Sequence, residues 1–422
     1  MSVAKVAFVN LGCRVNRVEA DVIAAELERA SCEIVGEADA EAIVINTCAV
    51  TGEAEAKTRK AVRHAAALPQ APVVIATGCV ANLFEEEISS VAANVIVVRD
   101  KSAVARTVLS ELGVHDLAAP RDGGTPSSPT PTGRTRPGIK IQDGCDNRCT
   151  YCIVWKARGP SRSMPVPEVI DSVRAAVSRG AHEVVLTGIN LGRFSGQTHP
   201  GDPIALPGLL DLIMRETGVE RVRLSSIEPP DVTDELLDAM ARHGERIAPF
   251  LHVCLQSGSD RTLARMGRVY DTALFRSVVV RAREALPDLA LGTDLIVGFP
   301  GETDADFEES LAFCREMDFA KMHVFRYSRR PGTPAAAAGG QVDPRVMAER
   351  SRRMRRLAGE MRHAQAAALV GRDELALVQY PGRAVTGGLF DVRLDPSVPV
   401  DSLVRVRVSS VMGDGTLVAL VP

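Results

Sequence analysis

The hydrophobic positions of this chain follow two patterns that alternate along most of its length. Short, continuous apolar runs rich in Val and Ile are separated by longer segments in which Ala, Leu, Glu and Arg recur with helical spacing. Continuous apolar runs are typical of strands that are buried on both faces, and their alternation with helices is typical of parallel sheets. The pattern therefore predicts an α/β fold.

The apolar runs form two series. Before residue 113 the predicted strands are residues 6–10, 43–46, 73–77 and 95–98, and the predicted helices are 18–30 and 54–67. After residue 137 the predicted strands are residues 138–142, 183–188, 221–225, 250–256, 291–297 and 321–327, with helices such as 167–179 and 233–241 between them. The first series predicts an open parallel α/β sheet. Its six β/α units make the second series a partial (β/α)6 barrel rather than a full eight-unit barrel.

The remaining segments divide the chain. Pro, Gly, Ser and Thr dominate residues 113–136, which therefore predict a linker. Residues 345–363 predict a helix with seven Arg against two Glu. After it come short alternating runs broken by Gly and Pro, which predict a small β-barrel that needs to dock against its neighbours. The predicted domains are residues 1–112, 137–365 and 366–422.

Composition narrows the class of protein. The 422 residues are 45% hydrophobic, which excludes a globally disordered chain, and the net charge of −3 excludes a uniformly basic coat while allowing local basic patches. Neither a run of about 18 apolar residues nor a signal peptide is present, so we expect a cytoplasmic protein with no membrane contact. In a reducing compartment, cysteines beyond core filling more often bind metals or act in catalysis, and this chain has nine.

Three cysteines lie in one loop just past the first strand of the second series. Cys145, Cys149 and Cys152 have the spacing C-x3-C-x2-C, which matches neither a four-ligand zinc site nor a four-cysteine ferredoxin run. Three thiolates on a four-iron cluster would leave one iron open to a small chelating ligand at the mouth of the barrel. The alternative is a zinc knuckle completed by a distant His or Cys.

A second set of cysteines follows the strands of the first series. Cys13, Cys48 and Cys79 each come shortly after a predicted strand, and the carboxyl ends of parallel strands open on one edge of a sheet. These three residues are therefore predicted to meet in space. The other three, Cys32, Cys254 and Cys314, lack this placement and are interpreted as buried small hydrophobes.

The words around these cysteines resemble a known family. The C-x3-C-x2-C spacing with Tyr151 before its last cysteine resembles the radical S-adenosylmethionine (SAM) superfamily. The words LGCRVN at 11–16, INTCAVT at 45–51 and TGCV at 77–80 resemble the methylthiotransferases, in which an N-terminal cluster domain precedes a radical-SAM barrel and a C-terminal TRAM domain. That order accounts for nearly the whole chain.

The resemblance implies two [4Fe–4S] clusters. One, on Cys145, Cys149 and Cys152, would bind SAM and, with an electron from a low-potential donor, cleave it to a 5′-deoxyadenosyl radical. Such a radical suits an inert aromatic C–H bond. The other, an auxiliary cluster on Cys13, Cys48 and Cys79, would hold the sulfur that becomes the methylthio group.

The barrel words HVCLQSG at 252–258, MGRVY at 266–270 and VGFPGET at 297–303 also resemble family stretches. The resemblance implies that SAM is bound by residues in or past the cluster loop and the strand ends, namely Tyr151, Gly188, Asn190, Glu228, Gln256 and Asp294. Two residues depart from the family pattern. Trp155 stands where Pro is common, and Met164 where a further Arg is frequent. Trp155 could stack on a base or lie in the core.

Four basic segments, residues 57–63, 156–162, 326–330 and 345–362, together with the β-barrel tail predict a surface that holds structured RNA by its backbone. Chemistry on a base also requires that the base be unstacked, which costs little in an anticodon loop. The words LGCRVNRVE at 11–19, SSIEP at 225–229 and VFRYSRRPGTP at 324–334 most resemble the branch that acts on threonylcarbamoyladenosine at position 37 of tRNA.

For that substrate the predicted contacts are Arg158, Arg329 and Arg330, the last two for its carboxylate. Three alternatives stay open: isopentenyladenosine in tRNA, an aspartate of a ribosomal protein, and a non-catalytic, zinc-stabilised RNA-binding protein.

Overall fold

The computed structural model describes residues 3–114, 134–199 and 201–422. Most of the predicted linker lies outside these residues. At the end of the predicted linker, Thr135 is buried and Arg136 lies 3.8 Å from the carboxylate of Glu183 in the barrel.

The N-terminal domain is an open sheet of five parallel strands in the order β2-β1-β3-β4-β5. Its elements are β1 (Lys5–Asn10), α1 (Arg14–Arg29), β2 (Glu33–Ile34), β3 (Ala42–Thr47), α2 (Gly52–Ala66), β4 (Val73–Gly78), α3 (Cys79–Leu83), α4 (Glu85–Ser89), β5 (Val95–Val97) and α5 (Val104–Glu111). Every residue of β3 is buried, as its unbroken apolar run predicts for a central strand. The predicted sheet is confirmed, with the short edge strand β2 added.

The second domain is a barrel of six parallel strand positions that does not close. Its elements are β6 (Gly138–Lys140), β7 (Gln142–Asp143), α6 (Val154–Arg158), β8 (Arg162–Ser163), α7 (Val166–Ser178), β9 (Glu183–Thr187), β10 (Ser195–Gln197), β11 (Pro203–Ala205), α8 (Leu206–Glu216), β12 (Arg221–Leu224), β13 (Ser226–Ile227), α9 (Asp234–His243), β14 (Phe250–Val253), α10 (Asp260–Met266), α11 (Thr272–Ala285), β15 (Ala290–Val297), α12 (Asp304–Met317), β16 (Lys321–Arg326), α13 (Pro334–Ala337) and α14 (Pro344–Ala368). Successive strands pair in parallel from β6 through β9, β12–β13, β14 and β15 to β16. The predicted partial barrel is confirmed.

Helix α1 of the N-terminal domain covers one open edge of this barrel. Gly138 in β6 approaches Val18 of α1 so closely that a Cβ added to the glycine would lie 2.2 Å from Val18 Cγ2. On the other side of the same interface, Ile153 and Ala157 belong to the hydrophobic core of the N-terminal domain. The ends of the two sheets are therefore held together by packed side chains.

The C-terminal domain is a closed five-stranded β-barrel in the order β17-β18-β19-β21-β20. Its strands are β17 (Asp373–Tyr380), β18 (Arg383–Thr386), β19 (Asp391–Arg393), β20 (Leu403–Val411) and β21 (Leu417–Leu420). Phe250, Ala290 and Ala320 at the base of the larger barrel are part of its core. The domain is therefore docked, as its small size requires.

Candidate metal centres

Cys13, Cys48 and Cys79, called here the auxiliary triad, all lie at the carboxyl edge of the N-terminal sheet. Cys13 is the N-cap residue of α1, Cys48 directly follows β3, and Cys79 is the first residue of α3. Two of the three therefore stand at helix N-termini, where the helix dipole favours a negatively charged ligand. The strands β1, β3 and β4 are parallel and adjacent, so the three cysteine loops lie at the same edge of the sheet, as the sequence predicts.

Three polar residues connect the loops that carry this triad. The side-chain amide of Asn16 donates to the carbonyl of Thr47 at 2.8 Å, and the hydroxyl of Thr47 accepts from the backbone N–H groups of Val80 and Ala81 at 3.1 and 3.0 Å. Asn46 donates to the carbonyl of Asn16 at 2.6 Å. These bonds fix the three cysteine loops relative to one another. These residues were not identified from the sequence, and the only signal for them is the presence of Asn and Thr at the strand ends.

Glycine is required immediately before the first cysteine. Gly12 has φ +124°, and a Cβ there would lie 2.3 Å from Cys48 Cβ. Any larger residue would strain the backbone and push Cys48 away from Cys13. The same holds for Gly144 before Cys145, where φ is +70° and a Cβ would meet the carbonyl oxygen of Pro160 at 1.9 Å.

The thiols of the auxiliary triad disfavour one another's ionisation. Burial, together with the charges of Cys13 and Cys79, raises the pKa of Cys48 to about 11 against an opposing backbone hydrogen bond from Val50. Burial also raises the pKa of Cys79, while Arg158 opposes that shift. Three thiolates in this place therefore need a bound cation.

Cys145, Cys149 and Cys152, called here the barrel triad, lie in the loop between β7 and α6 at the mouth of the barrel. Burial raises the pKa of Cys145, and burial with the charges of Cys149 and Cys145 raises that of Cys152 to about 12. All nine cysteines of the chain are free thiols. In both triads, therefore, the thiols would ionise together only with a bound cation.

Arg268 contacts the barrel triad directly, a role that the sequence did not reveal. Its guanidinium donates to Cys149 Sγ at 3.0 Å and to Glu228 at 2.7 Å, and its Nε donates to the hydroxyl of Tyr270 at 3.0 Å. Asn147 of the cysteine loop also donates to Glu228, at 2.9 Å. Glu228 therefore lies beside the loop, at the place predicted for a cofactor contact.

Gln142 organises the loops at the ends of β6 and β9. Its side-chain oxygen accepts from the N–H groups of Ile189 and Asn190 at 2.9 and 2.8 Å, and its amide donates to the carbonyl of Gly144 at 2.9 Å. A Cβ on Gly188 would lie 2.9 Å from that same oxygen. The side-chain oxygen of Asn190 is buried with no partner among the described residues, so a polar ligand could bind it.

The remaining predicted cofactor residues lie on both sides of the mouth. Tyr151 packs edge-on against Phe299 with ring centroids 6.4 Å apart, and burial raises its pKa well above the ordinary value. Gln256 has φ +66°, an uncommon conformation for a residue other than glycine. Backbone strain of this kind is concentrated at functional sites.

Asp294 lies in the barrel lumen between two histidines. Its Oδ1 is 3.1 Å from His252 Nε2 and 3.0 Å from His323 Nδ1. Burial alone would raise the pKa of Asp294, but the close contacts with both histidines, including a hydrogen bond with His323, outweigh it and hold the pKa below its usual range. The sulfur of Cys254 is within 4.8 Å of a ring nitrogen of His252 and a carboxylate oxygen of Asp294. This thiol therefore faces a polar lumen, unlike the buried Cys32 and Cys314, which lie in hydrophobic cores.

Arg158 links α1 of the N-terminal domain to the strand that precedes the barrel triad. Its guanidinium donates to Glu19 and Asp143 at 2.9 Å and to Asn16 at 2.6 Å, and its charge opposes the rise in the pKa of Cys79 that burial causes. Its side chain is only 6% exposed. This placement is that of a structural link between the domains, and it does not support the predicted contact of Arg158 with the substrate.

The predicted carboxylate ligands are also engaged elsewhere. Arg330 is 3% exposed and its guanidinium lies 2.7 Å from the carboxylate of Glu55 in α2. Arg329 donates to the carbonyl of Ala336 at 2.7 Å. Sequence could not show this, because the partner Glu55 is far away along the chain. Arg330 therefore ties the barrel to the N-terminal domain.

The two departures from the family pattern have different surroundings. Met164 packs against the main hydrophobic core. Trp155 is half-buried, and Arg148 and Lys156 lie over its ring at 4.5 and 5.1 Å. Lys156 also donates to the carbonyl of Gly332 at 2.6 Å. Trp155 is therefore not a core residue, and its ring lies among cations beside the cysteine loop.

Most arginines of helix α14 contact neighbouring elements. Arg353 binds Glu308 at 2.6 Å, Arg355 donates to the carbonyl of Val324 at 3.0 Å, and Arg362 binds Asp391 at 3.0 Å. These contacts attach the helix to the two barrels. The basic run at 345–362 is therefore largely a packing surface, which weakens its prediction as an RNA-holding face.

Among residues 3–114, 134–199 and 201–422, no helix is both long and apolar enough to cross a membrane.

Comparisons with known proteins agree with this architecture. The model of the radical SAM superfamily matches residues 139–314, and the model described as "Uncharacterized protein family UPF0004" matches residues 5–99. The threonylcarbamoyladenosine tRNA methylthiotransferase MtaB of Thermotoga maritima is 35% identical over 87% of this chain and 85% of its own length.

Two other relatives are named for different activities. The tRNA-2-methylthio-N(6)-dimethylallyladenosine synthase of Sphingopyxis alaskensis is 36% identical over 88% of this chain and 87% of its own length. The ribosomal protein uS12 methylthiotransferase RimO of Desulforudis audaxviator is 34% identical over 98% and 93%. Similarity at this level over nearly the full length of three proteins, with both family models in the expected order, means that the chain belongs to the radical SAM methylthiotransferase family.

Proposed function

We propose that this chain transfers a methylthio group to C2 of N6-threonylcarbamoyladenosine at position 37 of tRNA. The observation that carries the proposal is the pairing of two cysteine triads, one at the edge of each parallel sheet, across an interface linked by Arg158. Two separate metal centres facing one interdomain space suit a reaction in which one centre activates the substrate and the other supplies sulfur.

Each triad fits a [4Fe–4S] cluster better than a single metal ion. Thiolates on one tetrahedral zinc ion, at about 2.3 Å from the metal, lie about 3.8 Å from one another. Within the described parts of the chain, the sulfur atoms of neither triad come together within 4.8 Å as a set of three. The radical SAM domain and the methylthiotransferase relatives support two clusters over the zinc-stabilised binding protein.

SAM and [4Fe–4S] clusters are the cofactors of this family, and here they would supply the electron, the radical and the methylthio sulfur. Around the barrel triad, Arg268 would donate to a ligand sulfur, and Asn190 offers an unpaired acceptor in the wall of the mouth. Tyr151, Gly188, Glu228 and Gln256 are the further residues that we assign to SAM. Asp294 is engaged by two histidines, which favours a role in the wall of the lumen over a SAM contact.

The polar lumen supports the threonylcarbamoyl branch. Since the relatives act on three different substrates at nearly equal identity, identity alone does not choose between them. His252, Asp294 and His323 line the lumen with charged and hydrogen-bonding groups, whereas an isopentenyl group needs an apolar slot. A polar site rejects an analogue that leaves its groups unpaired, so the lumen suits a polar N6 substituent.

The partners that follow are tRNA, bound through its anticodon loop, and a low-potential electron donor. A reducing cytoplasm is the compartment in which six cysteines on two interior sites stay available for iron.

The proposal is tested by digesting total tRNA from a strain that lacks this gene, with and without the gene restored, and identifying the nucleosides by mass spectrometry. We expect 2-methylthio-threonylcarbamoyladenosine to return with the gene. Recovery of only the isopentenyl product, or unchanged tRNA beside a methylthiolated ribosomal protein, would refute the substrate.

A metal analysis tests the cofactors separately. Anaerobically reconstituted protein should hold about eight irons per chain, four for each cluster. Zinc without acid-labile sulfide would refute the enzyme.

A further inference from the structure

A cavity of about 320 Å³ lies where α1 covers the open edge of the barrel, and its wall is cationic. The charged residues that line it are Arg14, Arg17, Arg134, Arg136, Arg223 and Lys321. They come from α1, the end of the predicted linker, β12 and β16, so segments far apart in sequence bring six positive charges to one space.

The carboxylates near this cavity are already engaged. Glu183 is bound by Arg221 and Arg223, with Arg223 Nε donating at 2.7 Å, and Asp21 is bound by Arg134 at 3.2 Å. Asp294 is bound by the two histidines of the lumen. The wall therefore keeps an excess of positive charge, which is the electrostatic condition for binding an anion.

The cations also destabilise one another. Burial and the charges of Arg362, Arg14 and Arg136 lower the pKa of Lys321 to about 8, despite the opposing charge of Asp391. A bound anion would relieve this repulsion.

The position of Arg14 connects the cavity with the reaction site. Arg14 directly follows Cys13 of the auxiliary triad, and it lines the cavity together with Lys321 of the barrel strand β16. An adenine whose C2 lies between the two triads presents its N6 on the same Watson–Crick edge. A substituent on N6 can therefore extend toward this cavity.

We propose that Arg14 and Lys321 bind the carboxylate of the N6-threonylcarbamoyl group, and so select this substrate. The inference rests on the proposed function and replaces Arg329 and Arg330 as the carboxylate ligands. An isopentenyl group in the same place would bury cations without giving them a partner, which is costly. Guanidinium binds carboxylate with two parallel hydrogen bonds, and the ammonium of Lys321 adds a second charge from the opposite edge of the barrel.

The test measures binding of anticodon stem–loop RNA to the reconstituted protein. Two RNAs are compared, one with threonylcarbamoyladenosine at position 37 and one with the same group converted to its neutral carboxamide. We expect wild-type protein to bind the carboxylate RNA at least tenfold more tightly than the amide RNA. Arg14→Gln should bind the two RNAs about equally, and Arg14→Lys should keep part of the preference for the carboxylate RNA. Arg29→Gln, which removes an arginine from the exposed far end of the same helix, should keep all of it.

Since Arg14 adjoins Cys13, iron content is measured for every variant. If Arg14→Gln loses iron, the same ratio is measured for Lys321→Gln, because Lys321 lies in β16 and outside the cysteine-bearing loops. The inference would be wrong, with the proposed function intact, in either of two cases. In the first, both variants keep the wild-type ratio of affinities for the two RNAs. In the second, wild-type protein methylthiolates the carboxylate RNA but binds both RNAs equally. Wild-type protein that does not modify that RNA at all would overturn the proposed function.

Discussion

Replacing Glu183 by Gln tests how the C-terminal barrel is held. Glu183 is fully buried at the start of β9 and binds both Arg221 and Arg223, which are also buried. These arginines then donate across the interface, to the carbonyl of Leu375 at 2.7 Å and that of Gly387 at 2.6 Å. One carboxylate thus pairs with both cations that attach the C-terminal barrel to the larger one.

The expected cost follows from two arguments. Removing one partner of a buried ion pair costs about 3–5 kcal/mol, because the other charge is left uncompensated. Independently, burial would raise the pKa of Glu183, but the charges of Arg223, Arg221 and Arg136 outweigh it and lower the pKa from 4.5 to about 2. At about 1.4 kcal/mol for each pH unit, this shift is worth about 3 kcal/mol.

The direction of the pKa shift of Glu183 determines the pH range over which this residue stabilises the fold. The folded-state pKa is lowered, so this stabilisation is present above pH 4.5 and is lost as the pH falls toward 2. Glu183→Gln should therefore lower the free energy of unfolding at pH 7 by about 3 kcal/mol, and it should flatten the acid dependence in that window.

The measurement is urea denaturation followed by circular dichroism, with limited proteolysis to detect release of the C-terminal barrel. The matched control is Glu245→Gln, because Glu245 binds Arg405 at 2.7 Å across the same interface but both side chains are at least half exposed. An exposed pair contributes about 0–1 kcal/mol. If Glu183→Gln costs no more than Glu245→Gln, the reasoning from burial is wrong.

Three further predictions concern the sites. Cys149→Ala should abolish reductive SAM cleavage, whereas Cys48→Ala should preserve 5′-deoxyadenosine formation and eliminate the methylthio product. Loss of both in Cys48→Ala with the barrel cluster still loaded would contradict the division of labour. Arg268→Gln should lower the reduction potential of the barrel cluster by about 50 mV, because hydrogen bonds to ligand sulfur raise such potentials; a redox titration followed by electron paramagnetic resonance that finds no shift would count against the contact with Cys149. Burial raises the pKa of Glu302 to about 7, so its contribution to stability is present below pH 4.5 and is lost as the pH rises to 7. Glu302→Gln should remove a decline of about 3 kcal/mol over that range, measured by denaturation at several pH values, and an unchanged pH profile would refute the raised pKa.

Sequence predicted the sheets, and the positions of the cysteines just past their strands, because these depend on patterns that the chain carries locally. Apolar runs marked the strands, and cysteines just after them had to share an edge once the strands were parallel. The observed ends of the elements differ little from the predicted ones; helix α1, for example, begins at Arg14 rather than at residue 18. The antiparallel pair β10 and β11 was not predicted, since these strands are short and largely exposed.

Side-chain partners could not be predicted in the same way. Arg158 and Arg330 were expected at the substrate, yet each binds a glutamate of the N-terminal domain. Cys254 was expected in a hydrophobic core and faces Asp294 instead. A charged residue near a motif has the same local sequence whether it meets substrate or a carboxylate from another domain, and only the packing of the domains separates the two outcomes.

The position of Arg158 between Cys79 and Asp143 has a thermodynamic consequence. This cation interacts with the auxiliary triad and, through Asp143, with the loop that carries the barrel triad. We therefore expect a charge added at one centre to change how strongly Arg158 stabilises the other. Coupling of this kind is reciprocal: if loading of the auxiliary site shifts the reduction potential of the barrel site, reduction of the barrel site must shift the affinity of the auxiliary site by the same free energy. In this fold, therefore, the two centres are not independently adjustable, and a substitution that tunes one of them through Arg158 necessarily retunes the other.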